Sequence, residues 1–167
     1  MQGKEAFVTP TMAICKPSEI KEKLAKNQAV LGLDLGTKTI GVAISDIRLM
    51  IASPVTTIAR KKFNADFAAL EKIMTEREVG ALLIGLPVEM DGLEGPRAQS
   101  ARSFAAEILK RREMPIAFWD ERLSTAAVQR MLTDEADMSR KRRAEVVDKA
   151  AAAYILQGML DGLRSNG

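Results

Sequence analysis

The sequence contains no histidine and a single cysteine, Cys15. Without histidine, zinc sites built on imidazole and serine-histidine-acid triads are excluded, and one thiol cannot close an internal disulfide. Aromatic residues make up only 4% of the chain, so the core has to be aliphatic and rich in alanine. No segment approaches the roughly eighteen consecutive apolar residues of a membrane-spanning helix. The first residues, MQGKEAFVTPTMAICKPSEI, show neither a continuous apolar stretch nor a typical cleavage site. These absences point to a cytoplasmic protein with no membrane partner.

What is present is a globular composition, 47% hydrophobic and 28% charged over 167 residues. That length suits one domain burying about 70% of the surface of its unfolded chain. Net charge is +3, a mild excess that permits a polyanionic partner without demanding one. Its distribution is more telling. Arg140, Lys141, Arg142 and Arg143, with Lys149 nearby, form the densest basic cluster, and Arg60, Lys61 and Lys62 a smaller one.

Three parts follow from the patterning. Residues 1–28 have no clear period and read as a mobile N-terminal extension holding at most one short polar helix. Residues 29–163 carry the domain, and residues 164–167 are a tail. Within the domain, AVLGLD and TIGVAIS read as strands joined by a tight hairpin at Gly36-Thr37-Lys38. IASPVTTI is a third strand, which Pro54 assigns to an edge. A helix capped by Asn64 and stopped by Gly80 comes next, then a buried strand ALLIG and a turn-rich loop GLPVEMDGLEGP. A helix from about Pro96 to Arg112, a buried strand PIAFW, a helix from Ser124 to about Leu132 and a last helix from about Ser139 to Leu163 complete the chain. A meander continued through right-handed helical crossovers predicts an α/β fold: a five-stranded mixed sheet, three strands antiparallel and the rest parallel, with helices on both faces.

Three acidic positions sit where a purely structural reading is uncomfortable. Asp34 interrupts an apolar strand, where an unpartnered charge costs several kcal/mol. Asp120 and Glu121 lie at the carboxyl end of PIAFW, where open α/β sheets place their functional loops. Asp148 shares a helix face with Ala151, Ala152 and Ile155, so it points inward, and the alanines let that helix approach the sheet closely. Each has a bland alternative: a carboxylate bonding turn amides, a helix-start preference, an ion pair. Three converging carboxylates would repel, each pair by about 4 kcal/mol at 4 Å and an effective dielectric near 20. An all-oxygen set of this kind suits one or two Mg²⁺ or Mn²⁺ ions, the arrangement used for phosphodiester cleavage.

In order and spacing, LGLDLGTKTIGVAISD, IGLPVEMDGLEGPRAQSARSFA, WDERLSTAAVQRML and VVDKAAAAYIL resemble the YqgF/RuvX family of the ribonuclease H-like, RuvC-resolvase-like superfamily, over roughly residues 29–163. The resemblance implies a ribonuclease H-like fold and a nuclease that processes pre-16S ribosomal RNA in ribosome biogenesis, an older reading being a Holliday junction resolvase. Carried over residue by residue, the family's acidic triad falls on Asp34, on Glu121 of DERLS and on Asp148, with Asp120 the less certain member of its pair.

The expectation is therefore a metal-dependent endonuclease in which Asp34, Glu121 and Asp148 are both catalytic residues and metal ligands. Lys38 and the run Arg140, Lys141, Arg142, Arg143 would contact phosphates, and EMDGLEGPR would border the substrate groove. The expected partner is nucleic acid, ribosomal RNA precursor ahead of branched DNA, and the oligomeric state, monomer or dimer, is left open. Two other classes compete. A nucleotide-binding phosphotransferase fits the D-x-G-T-K turn, but such proteins need a second similar domain that this length cannot hold. A non-catalytic RNA-binding assembly factor would keep the basic clusters and cleave nothing.

Overall fold

The computed structural model describes residues 13–87, 92–121 and 140–166, with the backbone alone for 140–146 and 166. The strands are β1 (Ile14–Cys15), β2 (Ala29–Leu35), β3 (Thr39–Ser45), β4 (Ala52–Ala59), β5 (Val79–Leu86) and β6 (Ile116–Asp120). The helices are α1 (Ile20–Lys23), α2 (Phe63–Glu76), α3 (Pro96–Arg111) and α4 (Arg140–Asn166). One mixed sheet runs in the order β1-β6-β5-β2-β3-β4. The hairpin forms where expected, Gly36 N–H donating to Thr39 O at 2.8 Å. β4, with its Pro54, lies at one edge, pairing among the described residues only with β3. From β2 outward on the other side, β5 and β6 are parallel to their neighbours, as helical crossovers require.

Among the described residues the sheet has six strands rather than five. The additional one is β1, two residues that pair in parallel with the start of β6. It comes from the segment expected to be a mobile extension. In that same segment Ile20 is fully buried against the α4 side of the sheet. A two-residue strand carries no period-2 signal, so alternation could not reveal it.

Two helix boundaries also differ from expectation. α2 begins at Phe63, and Lys62, not Asn64, occupies its N-cap position. The loop amide of Lys61 is instead satisfied by Asp66, buried one turn into the helix, whose Oδ1 accepts it at 2.9 Å. At the other end the left-handed residue is Glu78, with φ of 52°, while Gly80 lies inside β5. Gly80 is there for space: a Cβ on it would fall 2.0 Å from Gln28 Oε1. The helix expected from Ser124 to Leu132, the first three residues of the EMDGLEGPR loop and residues 1–12 lie outside the described residues.

Strand alternation splits the core between two faces. Leu31, Leu33, Ile40, Val42, Leu82 and Ile84 face α2 and α3, meeting Phe67, Leu70, Phe104 and Ile108. Their strand neighbours Val30, Ala43, Ala81, Leu83 and Ala117 face α4, meeting Ala152, Leu156, Met159 and Leu160. This second face is paved with smaller residues, and α4 sits close upon it. A Cβ on Gly32 would lie 3.1 Å from Leu156 Cβ and 3.2 Å from Ala152 O. The alanines of α4 thus do what their spacing predicts, and glycines on the sheet do the other half.

Candidate active site

Parallel strands bring their carboxyl ends to one edge of the sheet, and β2, β5 and β6 all end there. On the α4 face of that edge the neighbouring positions are Gly41 on β3, Asp34 on β2 and Gly85 on β5. Asp34 pairs directly with Gly41, and Gly85 follows Ile84, the partner of Leu33. Asp34 is therefore flanked by a glycine on either side. Glu121 comes two residues after Trp119, the β6 partner of Gly85, so alternation returns it to this face.

The two glycines have different jobs. A Cβ on Gly85 would stand 2.6 Å from Glu121 Oε1 and 3.0 Å from its Cγ. The missing side chain is the space through which Glu121 crosses β5, where its carboxyl is hydrogen-bonded to Asp34. A Cβ on Gly41 would lie 1.9 Å from the backbone oxygen of Asp148. Its absence lets α4 rest on β3 and sets Asp148 beside the hairpin, where Thr39 Oγ1 donates to Asp148 Oδ2. The hydroxyl of Thr39 and the carboxylates of Asp34, Glu121 and Asp148 thus come from β3, β2, the end of β6 and α4.

The electrostatics follow from this crowding. Burial pushes the Asp34 carboxyl up to about 8, helped by its hydrogen bond to Glu121 and by that group's charge, and opposed by the Arg97 guanidinium. Burial also raises Asp148; the Thr39 hydrogen bond works against that rise, and the charge of Asp34 adds to it. Among the described residues, no three Asp, Glu, Cys or His side chains are already gathered closely enough to hold a metal ion. The arrangement is instead a bonded pair, Asp34 with Glu121, and a third acid turned toward Thr39.

Of the remaining residues proposed from sequence, Lys38 is exposed in the hairpin turn, its carbonyl accepting Arg60 N–H at 2.8 Å. Asp120 ends β6 and, by alternation, points to the face opposite Glu121. Arg140, Lys141, Arg142 and Arg143 form the first turn of α4, and their side chains lie outside the described set. Sequence reading assigned no role in the site to Thr39, Gly41 or Gly85, and placed Arg97 only at the end of the EMDGLEGPR loop expected to border the substrate groove. The two glycines carry no local signal of their purpose, because what they make room for arrives from other elements.

Comparison with known proteins agrees with this architecture. The family model described as RuvX, Holliday junction resolvase, matches residues 28–162. A protein of Paramagnetospirillum magneticum named "Putative pre-16S rRNA nuclease" is 61% identical over 150 residues, covering 90% of this chain and 96% of its own. A protein of the same name from Rhodospirillum rubrum is 57% identical over 152 residues, covering 91% and 94%. Among solved structures, T. thermophilus RuvC in complex with Holliday junction substrate superposes with a TM-score of 0.52 at 11% identity, covering 83% of this chain and 97% of that one. That likeness is one of fold, the ribonuclease H-like α/β arrangement. With the family model spanning nearly the whole domain and relatives this similar along it, the chain belongs to the RuvX family.

Proposed function

We propose that the protein is a metal-dependent endonuclease that hydrolyses phosphodiester bonds of structured nucleic acid, with the precursor of 16S ribosomal RNA as its substrate. The observation that carries this reading is the bonded pair Asp34 and Glu121 at the carboxyl edge of the sheet, with Asp148 facing them from α4. Two carboxyls crowded together out of water oppose folding, and a fold has no structural need of them. Perturbed carboxyls at the strand ends of an α/β sheet are the mark of a working site.

The residues present suit a hard divalent cation. Every donor is an oxygen, and the proton held between Asp34 and Glu121 is what a cation would replace. Mg²⁺ keeps several of its waters and is commonly held by only one or two carboxylates, so the bonded pair is enough to seat it without a closed cage of three. In this reading Asp34 and Glu121 hold the metal and Asp148 completes the set from the helix. When bound, one or two such ions supply an activated water and neutralise charge on the leaving oxygen.

The protein's own groups do the rest. Thr39 fixes the orientation of the Asp148 carboxylate through its hydroxyl. Gly85 and Gly41 keep the site open to Glu121 and to α4. In this reading Lys38 in the turn and Arg140, Lys141, Arg142 and Arg143 are the residues that contact the substrate's phosphates. The names of the curated relatives support ribosomal RNA precursor as the substrate, and a place in ribosome biogenesis in the cytoplasm.

A second reading, cleavage of branched DNA, is favoured by the family's description and by the fold shared with a junction-bound resolvase. Symmetric cutting of two strands requires a two-fold dimer, so mass in solution bears on it directly. The test of the main proposal is a substrate panel in Mg²⁺ or Mn²⁺: ribosomal precursor RNA, a four-way DNA junction and linear controls, with wild type beside Asp34→Asn. Cleavage of the RNA that is lost in Asp34→Asn is the expected result. Absence of cleavage on every substrate, or cleavage that survives the substitution, refutes it.

A further inference from the structure

Beside the carboxylates is a cleft of about 250 Å³ lined by Leu35, Gly36, Thr37, Arg60, Arg97 and Ser100. It draws on three elements that the sequence keeps far apart: the β2–β3 hairpin, the end of β4 and the first turn of α3. Two guanidiniums enter it, and each is anchored on the turn. Arg60 Nη1 donates to Gly36 O at 2.7 Å, and Arg97 Nη2 reaches Leu35 O at 3.4 Å. Both carbonyls are neutral, so these contacts orient the guanidiniums without cancelling their charge, and a guanidinium has five N–H donors. The field of Arg97 reaches the site itself, where it acts on Asp34. Thr37 and Ser100 add exposed hydroxyls to the rim.

We infer that this cleft is a binding site for a backbone phosphate of the nucleic acid strand, next to the phosphate being cut, with Arg97 and Arg60 as its anion-binding groups. The cleft is smaller than the pockets of about 300–1,000 Å³ that enclose whole small molecules, and guanidinium and hydroxyl donors stand among its walls. A single charged group fits these walls better than a nucleotide. Paired guanidiniums recognise phosphate through fixed, bidentate geometry that lysines do not offer. Leu35, Gly36 and Thr37 directly follow Asp34 in the chain, so a phosphate held here fixes the position of its neighbour over the carboxylates. This assignment rests on the proposed nuclease reading for its substrate, but it concerns binding and is tested without cleavage.

The experiment measures affinity of the full chain for labelled ribosomal precursor RNA and for a four-way DNA junction, in EDTA, across a salt series. Wild type is compared with Arg97→Gln, Arg97→Lys, and Lys72→Gln, an exposed charge in the second half of α2, a helix that contributes no residue to the cleft. Arg60 is left intact because its bond to Gly36 O supports the hairpin. Loss of one phosphate contact lowers the slope of log K against log salt by about 0.7–0.9. Arg97→Gln is expected to show that drop with an affinity loss of about tenfold, Arg97→Lys to keep the slope, and Lys72→Gln to match wild type. An Arg97→Gln slope equal to wild type overturns the assignment, as does failure of wild type to bind either nucleic acid. Because no metal is present, a chain that binds through Arg97 but never cleaves would refute the nuclease reading and leave the cleft standing.

Discussion

Asp34 is hydrogen-bonded to Glu121 across β5, over the bare backbone of Gly85. Since β5 separates the strands that bear them, the two acids meet only because the intervening position has no side chain. The crossing ties a backbone vacancy to carboxylate chemistry, and it can be closed with one methyl group.

Gly85→Ala should close it. The new Cβ would fall 2.6 Å from Glu121 Oε1 and 3.1 Å from Ile155 Cδ1, both at the far ends of side chains that can move. The fold should survive with a loss of about 1–2 kcal/mol, while Glu121 is turned away from Asp34. Cleavage should drop by about a hundredfold or more, as the proposed metal-binding role of Glu121 requires. Urea unfolding and cleavage rate, measured on the same preparation, check the two halves; a variant that cleaves like wild type removes Glu121 from the site.

Gly41→Ala should be far more disruptive to stability. Here the Cβ would sit 1.9 Å from the Asp148 carbonyl oxygen and 2.3 Å from its carbon, and backbone cannot rotate aside. α4 would have to lift from β3, loosening a face that holds Ala152, Leu156, Met159 and Leu160. A loss of about 3 kcal/mol or more is expected, seen as a lower urea midpoint, against the smaller loss in Gly85→Ala.

The raised carboxyl predicts how stability without metal depends on pH. Asp34 holds its proton up to about 8 in the folded protein, against about 3.9 in an unfolded chain. The stability it contributes is complete below about pH 4 and is lost as pH climbs through 8, because the folded state binds the proton more tightly. Asp148, also raised, acts in the same direction. In EDTA the melting temperature should fall from pH 5 to pH 8.5 more steeply for wild type than for Asp34→Asn. Added Mg²⁺ should raise it more at pH 8 than at pH 6, and this gain should vanish in Asp34→Asn. A melting temperature indifferent to Mg²⁺ at both pH values would contradict metal binding at this pair.

Much of the framework was legible in local patterns. The hairpin announced itself through Gly36-Thr37-Lys38 between two alternating runs, Pro54 marked an edge strand, and the alanines after Asp148 marked a helix face that packs closely. The misreadings have a common physical origin. Gly80 looked like a helix stop because glycine tolerates left-handed backbone, yet Glu78 took that conformation and Gly80 made room for Gln28. β1 was too short to show a period, and its pairing depends on β6, about a hundred residues later. The roles of Gly41, Gly85 and Arg97 depend likewise on register between strands and on what a distant element brings, neither of which a single sequence displays.

The bond between Thr39 and Asp148 joins residues 109 positions apart in the chain. The hairpin, with Asp34 and Thr39 in place, is among the first parts to leave the ribosome, and α4 is the last helix to do so. Closing so long a loop is slow and comes late in folding. Until α4 has docked, the hairpin has no Asp148 to meet and the small-residue face of the sheet has no cover. Asp148 therefore joins Asp34 and Glu121 only once α4 has been made and has docked, and a partly made chain carries only a fragment of the proposed site.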